Sequence, residues 1–273
     1  MPTLHLAILA LIQGVTEFLP VSSSAHLAVT PRLLGWADQG LVIDVAVHVG
    51  TLGAVILYMH REIWDMLAGI GRMLKGRRDK GAKLAGLVIL ATLPVIGAGF
   101  ALDHYYPNGL RSLEIIAWAT LGFGILLYIA DSVGMTLRRI EHLEISDGLL
   151  IGIAQCLALI PGTSRSGITM TAARLLGMER TDAARFSMLL SIPAILGAGA
   201  LKGYELWKSG DGQLTADAFT AAGLAFITAL IAIALMMAWL KRSGFGPFVV
   251  YRIVLGLFLL AVAYGHVGPF VVR

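Results

Sequence analysis

Apolar residues in this 273-residue chain come in blocks rather than in the short alternating patterns of a soluble fold. Six blocks approach the roughly 17–25 residues that a hydrocarbon core demands of a spanning helix. They are about Leu41–His60, Leu84–Leu102, Leu113–Ala130, Phe186–Leu201, Ala221–Leu240 and Ile253–Val272. Two more, Leu4–Leu19 and Leu149–Ile160, are shorter and each stops at a proline. That pattern predicts segments that enter the bilayer and turn back. Each short block is followed by a Ser/Thr-rich turn and a second short apolar stretch, Leu27–Leu34 or Ile168–Leu176. Because hydrocarbon offers no partners to backbone amides, the expected fold is an all-α integral membrane protein. It should hold six transmembrane helices and two re-entrant helical hairpins.

The chain also repeats itself. Setting Pro20 against Pro161 places Leu19-Pro20-Val21-Ser22-Ser23 over Ile160-Pro161-Gly162-Thr163-Ser164, an offset of 141 residues. Carried along the chain, the same offset lays Leu41–His60 on Asp182–Leu201, Leu84–Leu102 on Ala225–Ser243 and Leu113–Ala130 on Val254–Val271. Two halves follow, residues 1–141 and 142–273, each a hairpin and three spans. Three is odd, so the halves are expected in opposite orientations, as an inverted-topology repeat. The basic residues favour the same arrangement. Arg61–Lys83 carries seven of them and is expected to be cytoplasmic. Following the chain from there, Ser132–Asp147 and Lys241–Arg252 are also cytoplasmic. Asp103–Ser112 and Lys202–Thr220 then face outside with both termini. Twelve Lys and Arg fall on the cytoplasmic side against four outside.

Composition adds exclusions. With 57% hydrophobic residues, 14% charged and a mean hydropathy of +0.80, no block is polar enough for a soluble domain. The net charge of +4 sits in loops, which suits topology determinants better than nucleic-acid binding. Cys156 is the single cysteine, which excludes an internal disulfide and reads as a small core residue. The start, Met1-Pro2-Thr3-Leu4, lacks the basic region of a cleavable signal and is expected to belong to the fold. Trp64, Tyr105, Tyr106 and Trp207 near block ends suit an aromatic belt.

The chemistry concentrates in the two turns. Gln13 and Glu17 stand four apart, on one face of the first short helix. A carboxylate at membrane depth needs a partner, either a divalent cation or a buried arginine. Ser22, Ser23 and Ser24 follow Pro20; one serine suffices to cap the next helix, and a hydroxyl-rich helix start also binds phosphate. His26 is three residues after Ser23, so its imidazole is expected to reach that hydroxyl as a general base. The second turn, Pro161-Gly162-Thr163-Ser164-Arg165-Ser166-Gly167, carries a guanidinium whose planar fork matches phosphate oxygens. Gly162 allows close backbone approach, and Thr163, Ser164 and Ser166 add hydroxyls. Arg174 reads as a helix-end cytoplasmic charge. Asp44 and His48, four apart on a span, read as a second pair of lesser weight. Together the turns point to a phosphate ester in a membrane.

At these residues the chain resembles the bacitracin-resistance type of undecaprenyl-diphosphate phosphatase. That family carries Glu/Gln-x-x-x-Glu running into Pro-Val-Ser-Ser-Ser/Thr-Gly-His, here Gln13-x-x-x-Glu17 and Pro20-Val21-Ser22-Ser23-Ser24-Ala25-His26. Its second motif, Pro-Gly-x-Ser-Arg-Ser-Gly, stands as Pro161 to Gly167. Two departures occur: Gln13 leaves Glu17 as the one carboxylate, and Ala25 replaces a glycine. The resemblance implies hydrolysis of a C55 isoprenyl diphosphate, with Mg²⁺ or Ca²⁺ as cofactor and a site open to the external face of the bacterial inner membrane. On this reading Arg165, Ser164 and Ser166 hold the phosphates, Glu17 and Gln13 hold the cation, and Ser23 attacks with His26 as base. Attack by His26 itself or by water stays open. The expected partners are the lipid diphosphate and the bilayer, with a homodimer allowed and no nucleic acid. The different class of function that fits the same plan is a polyprenyl-phosphate flippase or secondary transporter.

Overall fold

A computed structural model describes residues 2–37, 39–105 and 112–266. Among these, the elements are helices, with one isolated bridge between Arg138 and Met178. The first half runs α1 (Thr3–Thr16), α2 (Ser23–Leu34), α3 (Leu41–Tyr58), α4 (His60–Met73), α5 (Lys80–Tyr105) and α6 (Leu113–Val133). The second runs α7 (Ile145–Gln155), a 3₁₀ turn (Cys156–Leu159), α8 (Arg165–Leu175), α9 (Arg180–Ser209), α10 (Gly212–Leu240) and α11 (Gly246–Ala263). Six of them, α3, α5, α6, α9, α10 and α11, are long and apolar enough to cross a membrane. α1 and α7 are apolar but short, at 14 and 11 residues.

Three expectations need correction. The segment Arg61–Lys83 is not all loop, because α4 occupies His60–Met73. The expected loop Lys202–Thr220 is mostly helix, since α9 continues to Ser209 and α10 starts at Gly212. The 141-residue offset is also not constant: α6 begins at Leu113 and α11 at Gly246, 133 apart. Between α3 and α5 stands the separate helix α4, whereas α9 continues unbroken for 30 residues to Ser209 before α10 begins. Tyr106, most of the Asp103–Ser112 loop and the end of the last apolar block lie outside the described residues.

Small residues let the helices close. A side-chain carbon added at Gly50 of α3 would fall 2.1 Å from the Ala222 carbonyl oxygen of α10. One at Gly152 of α7 would fall 2.5 Å from that of Ala91 on α5. In lipid, such backbone approach supplies the dispersion contacts that hydrophobicity cannot. The main core lies where α8 and α9 meet their neighbours, around Met170, Ala173, Phe186, Leu189, Ile233 and Phe245. α4 presents Trp64, Leu67 and Leu74 outward, and the link beyond it is closed by Arg72 Nε donating to Asp79 Oδ2 at 2.6 Å. That hydrogen bond holds the Asp79 carboxyl below the ordinary carboxylate range. Its other oxygen caps α5 by accepting from the Gly81 and Ala82 amides.

Arg174 stands in the last turn of α8, as expected of a helix-end charge, but it is buried rather than solvated. Its side chain is wholly buried, donating from Nε to Asp131 Oδ1 at 3.1 Å and from Nη2 to the Gly134 carbonyl at 3.0 Å. Its Nη1 donates to the Met178 carbonyl. Asp131 also accepts from Arg180 Nε at 2.7 Å and from the Phe245 amide at 3.1 Å. This network ties the far end of α8 to α6, α9 and the start of α11.

Candidate active site

Two serines with the same unusual backbone build the site. Ser22 (φ 73°) and Ser164 (φ 70°) are the only non-glycine residues with positive φ among those described. An L-residue held there is strained, which the surroundings must over-determine. Each caps the helix it precedes: Ser22 Oγ accepts from the Ala25 amide at 3.4 Å and Ser164 Oγ from the Gly167 amide at 3.0 Å. Each also meets the hydroxyl two residues on, Ser24 at 3.3 Å and Ser166 at 3.1 Å. The turns are therefore equivalent at an offset of 142, not 141, because Gly162 (φ 96°) is an extra residue after Pro161. Beyond that extra residue, Ser23 corresponds to Arg165.

The tips meet through Glu17. Its Oε1 accepts from Arg165 Nη2 at 2.8 Å, and its Oε2 accepts from Ser23 Oγ at 2.7 Å and from Gln13 Nε2 at 2.9 Å. His48 Nε2 of α3 stands 3.5 Å from the same Oε2, with Nδ1 held 2.6 Å from the Asp44 carbonyl oxygen. Arg165 Nη1 donates to the Ser187 carbonyl of α9 at 3.2 Å, and Ser166 Oγ joins the hairpins directly by donating to the Leu19 carbonyl at 3.0 Å. A carboxylate, a guanidinium and a hydroxyl thus converge on a cavity of about 370 Å³.

The remaining sequence candidates divide into wall and support. Glu17, Ser23, Ser24, Ser164 and Arg165 line the cavity, joined by Asp44, His48 and Gln155. Gln13, Ser22, Thr163 and Ser166 are buried beside it rather than among its lining residues. Gly162 packs against α6, where an added side-chain carbon would fall 2.3 Å from the Ile116 carbonyl oxygen. His26 does not bond Ser23. Because α2 starts at Ser23, its Nδ1 falls 2.7 Å from the Ser22 carbonyl oxygen, one helical turn back. Its Nε2 lies 2.6 Å from the Tyr251 hydroxyl of α11.

Sequence reasoning gave too little weight to His48 and none to Tyr251 and Arg252. Arg252, counted there as a loop charge, is wholly buried in α11. Its Nη2 donates to the Gly162 and Thr163 carbonyls at 3.0 and 2.9 Å, and its Nε to that of Thr120 at 3.0 Å. It fastens the turn that presents Arg165. The available sign was an arginine against an apolar run, Ile253 to Leu260, with too few loop residues around it.

No group of three His, Cys, Asp or Glu that could hold a metal occurs among the described residues. The oxygen donors beside Glu17 still suit a hard cation held mainly by its ligand. Gln13 Oε1 is buried without a hydrogen-bond partner, one helical turn from the carboxylate. Mg²⁺ commonly takes one or two protein carboxylates and completes its shell with water and phosphate oxygens.

Residues 6–258 match the family model described as bacitracin resistance protein BacA. The chain belongs to this family. A Rhodospirillum rubrum relative named undecaprenyl-diphosphatase 1 is 54% identical, the match covering 97% of this chain and 96% of the relative. Undecaprenyl-diphosphatases of Ruegeria pomeroyi and Hahella chejuensis are 51% and 48% identical over 97% of this chain, covering 100% and 99% of their own lengths. With six apolar helices of spanning length, this member of the BacA family is a multi-pass membrane protein.

Proposed function

We infer that this chain is an undecaprenyl-diphosphate phosphatase, hydrolysing the C55 lipid diphosphate to the monophosphate and inorganic phosphate. The observation that carries the reading is the meeting of Glu17, Arg165 and Ser23 at one cavity, each from a turn whose sequence matches the family motifs. Arg165 and Ser164 bind the terminal phosphate, since a guanidinium fork and a helix N-terminus both favour anions. Ser23 Oγ attacks the terminal phosphorus and passes its proton to Glu17, whose Oε2 it already contacts. The bond from phosphorus to the bridging oxygen breaks, and the lipid monophosphate leaves with the electron pair. Water then cleaves the phosphoserine. Attack by His26 or directly by water gives the same products by other routes. Glu17 and Gln13 would hold the divalent cation, Mg²⁺ or Ca²⁺, which supplies charge neutralisation on the phosphates.

The architecture is an inverted repeat with two re-entrant hairpins. Its support is the packing: α1 lies on α10 as α7 lies on α5, while α3 meets α9 and α6 meets α11 across the same pseudo-twofold relation. The first hairpin enters from outside and the second from the cytoplasm. The site then opens to the periplasmic side of the bacterial inner membrane, near the start of α3. No observation favours transport without hydrolysis. The test is phosphate release by purified protein in detergent micelles, which have no two sides to transport between. Release that falls on adding a chelator and returns with Mg²⁺ or Ca²⁺ is expected. A protein that binds the lipid but releases no phosphate would refute the enzyme reading.

A further inference from the structure

The two halves differ most where α5 faces α9. The corresponding pair, α3 and α10, is closed: an added carbon at Gly50 meets the Ala222 backbone, and one at Gly53 meets the Phe226 ring at 3.1 Å. On α5 and α9, Gly97 and Gly197 face open space, while Gly199 of α9 packs on α3, where an added carbon would fall 2.8 Å from Val49 Cγ2. A side-chain carbon added at Gly97 or Gly197 would meet nothing within 4 Å, and one at Gly99 only the tip of Leu159 at 3.9 Å. Each helix also carries an internal proline at this level, Pro94 and Pro193, which removes a hydrogen bond from the ladder and loosens the helix there. The neighbouring residues Val95, Ala194 and Ala198 line the cavity that holds Glu17 and Arg165. That cavity is therefore polar at the hairpin tips and apolar, with small side chains, toward the α5–α9 side.

We propose that the polyisoprenyl chain of the substrate leaves the site sideways between α5 and α9, along the path that Ala194 and Ala198 keep open. The proposal rests on the phosphatase reading and adds where the lipid part runs. A diphosphate joined to a long hydrocarbon has one charged end and one apolar end, and this cavity has the same two ends in the same order. A larger apolar hollow among α1, α10 and α11, walled by Val15, Ile231, Leu235 and Phe248, contains none of the charged site residues. It is the competing path.

The test compares a C55 diphosphate with a five-carbon isoprenyl diphosphate on the full-length protein. Ala198→Phe and Ala194→Phe should lower the long-chain to short-chain ratio of kcat/KM by about tenfold or more, while Ala198→Ser and Leu235→Trp leave it within about twofold. A ratio unchanged in both phenylalanine variants, or one that falls in Leu235→Trp, would overturn the path. Should a phenylalanine variant fail to fold, a photoreactive diazirine near the headgroup end of the chain settles the matter on the unmodified protein. Crosslinks are expected in peptides from α5 and α9, and crosslinks confined to α10 and α11 would refute it. If the unmodified protein releases no phosphate from either substrate, the phosphatase reading falls, and the crosslinks still report the chain's path.

Discussion

The two hairpins share a backbone and differ in chemistry. Both carry a proline in the turn, both hold a serine at positive φ as N-cap, and both pair that serine with a second hydroxyl. The next residue is Ser23 in one and Arg165 in the other. The same strained turn and helix start thus present a hydroxyl to the cavity in one hairpin and a guanidinium in the other. The hairpins also differ in how they are held. The second is fastened at its tip by Arg252 and at its far end by the Arg174–Asp131–Arg180 network. In the first, Arg32 holds the position that matches Arg174, and it is exposed. A fixed charge is useful only if its position is fixed.

The largest expected effect is at Glu17, where the hairpins meet. Glu17→Gln should reduce phosphate release about 10³-fold, because an amide keeps one acceptor oxygen but neither the charge that pairs with Arg165 nor the base that Ser23 contacts. Near-normal turnover in a folded variant would mean the tips do not act together. Arg165→Lys keeps the charge but loses the fork, and should cost about 10²–10³ in rate. Activity within threefold of the unmodified protein would reduce Arg165 to a structural ion-pair partner.

The anchoring contrast is read by thermal unfolding in detergent. Arg174→Met leaves the buried Gly134 and Met178 carbonyls without its guanidinium while Asp131 keeps Arg180, a loss of about 2–3 kcal/mol. Arg32→Met, at an exposed position, should cost no more than about 1 kcal/mol, and equal losses at both positions would erase the difference between the hairpins. Tyr251→Phe removes one hydrogen bond from His26. At about 1 kcal/mol this should slow turnover roughly fivefold if His26 takes part, with Tyr251→Ala no better than Phe. Orientation needs no rate: in a Cys156→Ser background, a cysteine at position 212 should react with an impermeant reagent in intact cells and one at 76 should not. Equal labelling would remove the inverted arrangement.

Much of this was legible because lipid leaves the backbone few choices. Six long apolar blocks and two short ones ending in proline gave the helices nearly in place, and the two motifs pointed to Glu17, Ser23 and Arg165, which the structure brings to one cavity. The errors have physical sources. α4 was missed because its apolar residues are spaced by helical turns within a basic segment, and a block count does not register that pattern. The burial of Arg174 and Arg252 is not legible because sequence distinguishes a buried arginine from an interfacial one only through partners, and theirs include groups far away in the chain, Asp131 for the one and the Thr163 carbonyl for the other. His26 was assigned to Ser23 by spacing alone. The turn of α2 aims the ring at α11, and no local pattern encodes that.

The bond between Arg165 and Glu17 makes the site its own competitor. An incoming anion must outbid a carboxylate that is already in place, at an effective concentration set by the fold rather than by the cell. A singly charged solute gains little by the exchange. On the proposed phosphatase reading, a diphosphate with more charge and several oxygens would displace Glu17 as it binds. The ion pair would then act as a threshold on charge, favouring the diphosphate over the less charged fragments.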